Sequence, residues 1–327
     1  MKKIITLLLG MVLCLTAVFA FGCSDEPEKG KVNIKYYSDG QAVVKALKGG
    51  LESIGLVPEP AATALGAGYY RLDLQELYDA NEKSYPQAVL MVKKSVLGAH
   101  ADLISNLQSQ ITENATWIKQ NTATAVSAMQ SHGGLQSVPA PAIDGCNIFW
   151  QGAQNAKTSV KKYINKIIEI DATKATVVND DFFYTTADGG TAKDAYTFVM
   201  PDGAPALAVA KLMHENSNLG TGKSVTYTVI PSAATTQVNA YLASGSADFI
   251  IAPVNLASKL YKAADATDHY VMVAVLTHGN FYIMSAEKIT LKDLVGKQVA
   301  VPNMGAVPDW TFKMVLEQHG IGCVTVE

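Results

Sequence analysis

Short apolar runs along this chain alternate with stretches whose apolar positions recur every three or four residues. The runs predict strands over 32–37, 53–57, 72–74, 87–92, 196–200, 225–230, 248–252, 270–276, 281–285, 298–301 and 323–326. The helical spacing predicts helices over 40–48, 61–65, 155–170, 204–214, 235–242, 256–261, 291–294 and 308–319. Residues 98–129 also carry a helical pattern. That is long for one globular helix, so two helices with a break near 108–113 are expected. A Gly/Pro/Ser-rich stretch occupies 132–141, and a polar, linker-like one 171–195.

Repeated strand–turn–helix units imply an α/β architecture with mainly parallel sheets. Such sheets bind ligands outside the carboxyl ends of their strands. The turns that follow strands are therefore the candidate site: Ser38-Asp39-Gly40, Pro58-Glu59-Pro60, Pro201-Asp202-Gly203, Ser232 to Thr235, Pro253-Val254-Asn255 and Asn303 to Ala306.

The pattern at the start is of another kind. Lys2 and Lys3 precede an almost unbroken apolar run over 4–21, which reads as a secretory signal. Ala20-Phe21-Gly22-Cys23 followed by the polar 24–30 resembles the lipobox of bacterial lipoproteins, cleaved before the cysteine. The expectation is a signal peptide over 1–22, lipid on Cys23 and a tether over 23–30. Length then allows roughly two domains of about 150 residues. Lys+Arg is 26 against 29 Asp+Glu. No basic excess exists to hold a phosphate backbone, so no nucleic-acid partner is expected. The lipid, rather than a basic patch, would hold the chain at the extracytoplasmic face of the cell membrane. Cys146 and Cys323 could pair, but isolated cysteines without short spacing are more often buried apolar residues.

Signals of catalysis are weak. Leu219-Gly220-Thr221-Gly222-Lys223-Ser224 has Ser217 where a phosphate loop needs its first glycine, and a strand follows it instead of a helix. The six histidines fall in no metal-binding spacing, so no metal or other cofactor is expected. No G-x-S-x-G occurs. Asp39 and Glu59 fit ligand-orienting or capping roles better than general acid–base work, and no catalytic residue is assigned.

Several segments together are similar to type II ABC-transporter solute-binding proteins of the nitrate, sulfonate, taurine and thiamine-precursor group. Thr197-Phe198-Val199-Met200-Pro201-Asp202-Gly203-Ala204-Pro205-Ala206 resembles their opening strand and loop. Ala247-Asp248-Phe249-Ile250-Ile251-Ala252-Pro253-Val254-Asn255 resembles their third strand and loop. Ile289-Thr290-Leu291-Lys292-Asp293-Leu294-Val295-Gly296-Lys297 resembles the turn opening their second lobe, and Ser38-Asp39-Gly40-Gln41 and Leu56-Val57-Pro58-Glu59-Pro60-Ala61 later second-lobe loops. Asp144-Gly145-Cys146-Asn147-Ile148 and Asn179-Asp180-Asp181-Phe182-Phe183-Tyr184 resemble stretches near the family's C-terminus. The order is reversed: the family's first half matches 196–327 and its second half 31–184. The chain therefore looks circularly permuted, with 185–195 as the joining linker. A fragment of a tandem array or an edited gene is the alternative.

The resemblance implies a two-lobed α/β fold of the periplasmic-binding-protein type, permuted. Lobe 1 would run continuously over 85–285. Lobe 2 would be built from both chain ends, 30–84 plus 286–327, with hinges near 84–88 and 285–288. It implies a monomer without enzymatic activity that captures a small polar or anionic solute and delivers it to an ABC permease. A lipoprotein sensing a ligand for a membrane receptor is the rival reading, and an enzyme on the same fold a further one. The implied ligand-binding residues are Asp202, Gly203, Ala204, Ser232, Thr235, Pro253, Asn255, Thr277, His278, Asn303, Gly305, Ala306, Ser38, Asp39 and Glu59.

Overall fold

A computed structural model describes residues 30–186, 189–234 and 236–326. The expected signal peptide, Cys23 and the candidate ligand residue Thr235 lie outside the described residues. The described strands are β1 (Val32–Tyr37), β2 (Ile54–Pro58), β3 (Tyr70–Asp73), β4 (Ala88–Lys93), β5 (Ile148–Gly152), β6 (Ala195–Pro201), β7 (Ser224–Ile230), β8 (Phe249–Pro253), β9 (Tyr270–Thr277), β10 (Phe281–Ser285), β11 (Gln298–Pro302) and β12 (Cys323–Val326).

They form two six-stranded sheets, one in the order β12-β1-β11-β2-β10-β3 and the other β5-β9-β4-β8-β6-β7. The first is assembled from both ends of the described chain, and the second lies within 88–277. Both contain one five-strand plan. In the first sheet β1, β11 and β2 run parallel, β10 antiparallel, and β3 antiparallel to β10. In the second β7, β6 and β8 run parallel, β4 antiparallel, and β9 antiparallel to β4. In each sheet the antiparallel strand is the first one reached after the chain crosses from the other sheet. Each sheet adds one edge strand, β12 beside β1 and β5 beside β9.

The return crossing lies within 277–281, ahead of the boundary expected at Ser285. Phe281–Ser285 pairs with Pro58–Ile54 and Asp73–Tyr70, so β10 belongs to the split sheet. An apolar run announces a strand without naming its partner, and this one reads alike in either lobe.

The inner strands β2, β4, β8, β9, β10 and β11 are buried on both faces. In β4, Val89 and Met91 enter a core shared by the two lobes, while Ala88, Leu90 and Val92 enter one confined to the continuous lobe. In β10, Ile283 faces the shared core and Tyr282 and Met284 a smaller outer one. The amphipathic helix Ala153–Ile170 buries Ala156, Val160, Tyr163, Ile164 and Ile167 in the shared core. Its Tyr163 hydroxyl lies 2.5 Å from Thr311 Oγ1, on the helix Val307–Gln318 of the split lobe.

Two further differences from the sequence pattern are local. The helical stretch after residue 98 breaks at Asn121 rather than near 108–113. Leu103, Leu107, Ile111, Asn114 and Ile118 carry one buried stripe through the expected break. The Asn121 side chain instead donates to Trp117 O at 3.0 Å and separates Leu103–Gln120 from Thr122–Ser131. Strand β5 was not expected, because an edge strand with Phe149 exposed shows no clean alternation.

Candidate functional site

The parallel strands of the continuous lobe end in loops tied together by buried side chains. After β6, the Asp202 carboxylate is 6% exposed and accepts from Gly203 N at 2.8 Å, Leu135 N at 2.7 Å and Gln136 N at 3.1 Å. After β7, Ser232 Oγ accepts from Gln136 Nε2 at 2.7 Å. Gly203 has φ +94°, and a Cβ there would sit 3.2 Å from Gln136 Nε2, so glycine suits both the turn and the contact. Asp202, Gly203 and Ser232 are thus brought together around Gln136. That residue lies in a loop with no strand before it, and no sequence signal marked it. Ala204 is buried at the start of the short helix Ala204–Leu207.

After β8, Pro253 precedes the helix Val254–Leu260. Asn255 is buried there, and its Nδ2 donates to Lys174 O at 3.3 Å. Across the seam, the loop after β11 is fixed by its backbone. Asn303 adopts a left-handed φ of 55° and donates its N–H to Tyr37 O, and Ala306 donates to Asn303 O. Gly305 N donates to Asp309 Oδ2 at 2.9 Å. Lys174 joins the two sides: its Nζ lies 3.9 Å from the position a Gly305 Cβ would take. Asn255 from one lobe and Gly305 from the other therefore both adjoin Lys174, which the strand pattern also passed over.

The remaining loops of the split lobe are more self-contained. Asp39 caps the helix Gly40–Lys48 by accepting from Ala42 N at 2.8 Å. Ser38 is exposed, with its hydroxyl 3.5 Å from Asp39 Oδ2. Glu59 is buried and accepts from Arg71 Nη1 at 2.8 Å, Thr63 Oγ1 at 2.7 Å and Thr63 N at 2.9 Å. Arg71 is the single arginine of the sequence. Its fork bonds Glu59 and Thr63 together and stacks 5.2 Å over the Tyr282 ring, a task a lysine ammonium cannot copy. The Glu59 side chain also touches the other lobe: a Cβ on Gly145 would stand 3.0 Å from Glu59 Cγ and 3.1 Å from the Tyr282 hydroxyl.

Two expected ligand contacts are turned inward. Thr277 is fully buried, and its Oγ1 accepts from Ala88 N at 3.1 Å, joining β9 to β4. His278 is 2% exposed, stacks face to face on Phe149 at 3.5 Å and places Nε2 3.2 Å from Phe149 O. Burial pushes its pKa down to about 4, so it is neutral at pH 7. Both residues serve the return crossing rather than an open loop.

Two grooves lie elsewhere. One of 460 Å³ runs between the helices Thr122–Ser131 and Ala210–His214; one of 250 Å³ lies between Tyr78 to Pro86 and the helix Ala153–Ile170. None of the expected ligand residues lines either. Three large apolar side chains, Leu135, Val177 and Met304, are exposed on or beside the loops that carry Gln136, Lys174 and Gly305. Among the described residues no group of three or more His, Cys, Asp or Glu side chains is arranged to hold a metal ion, Cys146 and Cys323 are free, and no helix is long and apolar enough to cross a membrane.

No protein-family model and no curated protein matches the chain. Partial similarity to solved structures exists. NikA from Brucella suis, in complex with Fe(III)-EDTA, is 11% identical with a TM-score of 0.32, covering 79% of this chain and 58% of that one. The oligopeptide-binding protein AppA from Bacillus subtilis, in complex with a nonapeptide, is 10% identical with a TM-score of 0.32, covering 76% and 54%. AgaA from A. tumefaciens, in complex with agropinic acid, is 12% identical with a TM-score of 0.32, covering 86% and 58%. The chain spans a little over half the length of these structures.

Proposed function

We propose that this chain is a two-lobed solute-binding protein of the type II kind, anchored outside the cytoplasm through lipid on Cys23, that hands a small polar solute to an ABC importer. The observation that carries this reading is the repeated five-strand plan, with two crossings and with loops from both lobes meeting at Lys174. Two lobes joined by two crossings can open and close, and a solute shifts that equilibrium by binding the closed form better. Backbone N–H groups and hydroxyls at Ser38, Gly203, Ser232, Asn303 and Ala306 would supply the polar contacts, with Asn255 and Gly305 at the seam.

A circular permutation belongs to the same proposal. The second sheet follows chain order: centre β6, neighbours β7 and β8, then β9 beyond the antiparallel strand. The first sheet follows that order only if it is read from β11 across the chain ends to β1, β2 and β3. Within the proposed joining loop Gly190 is closely docked, since a Cβ there would overlap Ser95 O at 2.1 Å.

Native mass spectrometry of the chain from Ser24 onward, before and after unfolding, tests the function. A monomer that releases a small molecule supports it. A refolded chain that takes up nothing from the small-molecule fraction of a cell extract removes it. A dimer would point to lobe exchange and remove the single-chain arrangement.

A further inference from the structure

Around Lys174, at the seam between the lobes, three polar groups have no hydrogen-bond partner among the described residues. Asn255 is 1% exposed and its Oδ1 accepts no hydrogen bond, although its Nδ2 is bonded to Lys174 O. Trp310, in the first turn of the helix Val307–Gln318, is 3% exposed and its Nε1–H has no acceptor. Trp310 Cζ2 and Lys174 Nζ each lie 3.9 Å from the same point, the Cβ position of Gly305. Cζ2 and Nε1 are both bonded to Cε2 of the indole, so the N–H lies on the same edge of the ring as the atom nearest Gly305. Among the described residues the Lys174 ammonium makes no hydrogen bond or ion pair.

A buried polar group without a partner is costly, and native proteins rarely leave two in one place unless something else satisfies them. The nearby charges do not. Asp309 already accepts from Tyr36 OH at 2.8 Å, Gly305 N at 2.9 Å and Lys313 Nζ at 3.0 Å. Lys313 lies 4.8 Å over the Trp310 ring. Asp171 feels both Lys174 and Lys313, but its Oδ1 is held by the Thr173 N–H and hydroxyl.

We infer that Lys174, Trp310 and Asn255 form a subsite for a carboxylate carried beside an N–H donor, as in an α-amino acid. This rests on the solute-binding reading. The carboxylate takes the Lys174 ammonium and the indole N–H, and the neighbouring donor takes Asn255 Oδ1. A plain anion leaves Asn255 Oδ1 unpaired. A plain amine leaves the indole N–H unpaired and brings a positive charge toward Lys174 and Lys313. Only a group offering both an acceptor and a donor satisfies the three together.

The test uses the refolded, ligand-free chain from Ser24, a pool of the protein amino acids as probe, and native mass spectrometry followed by fluorescence titration. The expected result is a complex with one or a few amino acids, absent for the matching amine and the matching carboxylic acid. Trp310→Phe, which removes the N–H and keeps an aromatic ring, and Lys174→Met are each expected to weaken it about tenfold or more. Asn255→Leu is expected to do the same. Circular dichroism confirms that each variant is folded. A solute taken instead from a cell extract, bound equally by all three variants or lacking a carboxylate, overturns the subsite and leaves the solute-binding reading intact. No complex with the pool or the extract overturns both.

Discussion

In the continuous lobe the central strand β6 is flanked by β7 and β8, both of which follow it within the same stretch of chain. In the split lobe the central strand β11 is flanked by β1 and β2, from the other end, with Asn33 paired to Gln298 and Ala300 to Gly55. One plan is closed by near neighbours in one case and by the most distant residues in the other. Pairing distant strands requires a long loop to close, a cost that the β1–β11 and β2–β11 pairings carry and the β6–β7 pairing does not. The shared core supplies a physical link. Ile34 and Phe312 from the split lobe lie in the same cluster as Val89, Tyr163 and Ile250 from the continuous one. The lesson is that covalent continuity and cooperative packing need not coincide.

The largest expected effect tests whether the lobes melt together. Phe312→Ala empties a fully buried position in the shared core. It is expected to lower stability by about 3–5 kcal/mol in urea unfolding, with a single transition. Two transitions, only one of them shifted, would make the lobes independent. Next is the return crossing. His278 is neutral in the fold, with its pKa pushed down by burial from 6.5 to about 4. The unfolded chain binds the extra proton between those values. The contribution is therefore full above pH 6.5 and is lost as pH falls toward 4, about 3 kcal/mol in all. Denaturation at stepped pH should show this loss, and His278→Gln should flatten it. A profile unchanged in the variant contradicts the burial.

A smaller effect probes the loop that carries Gly190. Gly190→Ala drives a methyl into the backbone of the helix Lys94–Ala99 and is expected to cost about 2 kcal/mol or to undock the loop, read as faster proteolysis between 185 and 195. Wild-type cutting rates would mean that the loop is not held there. The smallest concerns Arg71. Arg71→Lys keeps the charge but loses the fork that spans Glu59 and Thr63, with an expected cost of about 1 kcal/mol in thermal melts. A neutral result would reduce this pair to a solvated contact.

Much of the strand order was legible because fully buried strands leave continuous apolar runs, as in 249–253 and 270–277. Which sheet a strand joins was not, and β10 is the example. The loops after strands could be located by rule, so Asp202, Ser232, Asn255 and Gly305 were all named. What fastens them was hidden. Gln136 and Lys174 come from irregular segments whose positions are set by tertiary packing. Thr277 and His278 carry the right chemistry at a strand end, yet the crossing turns them inward, which composition cannot register.

The direction of β1 carries a mechanical implication. Ser38 and Asp39 follow its carboxyl end, and Gly30 and Lys31 precede its amino end, where Val32 N bonds Gly322 O. Six residues of strand span about 20 Å. A leash pulling on Gly30 would grip the molecule at the rim opposite those loops.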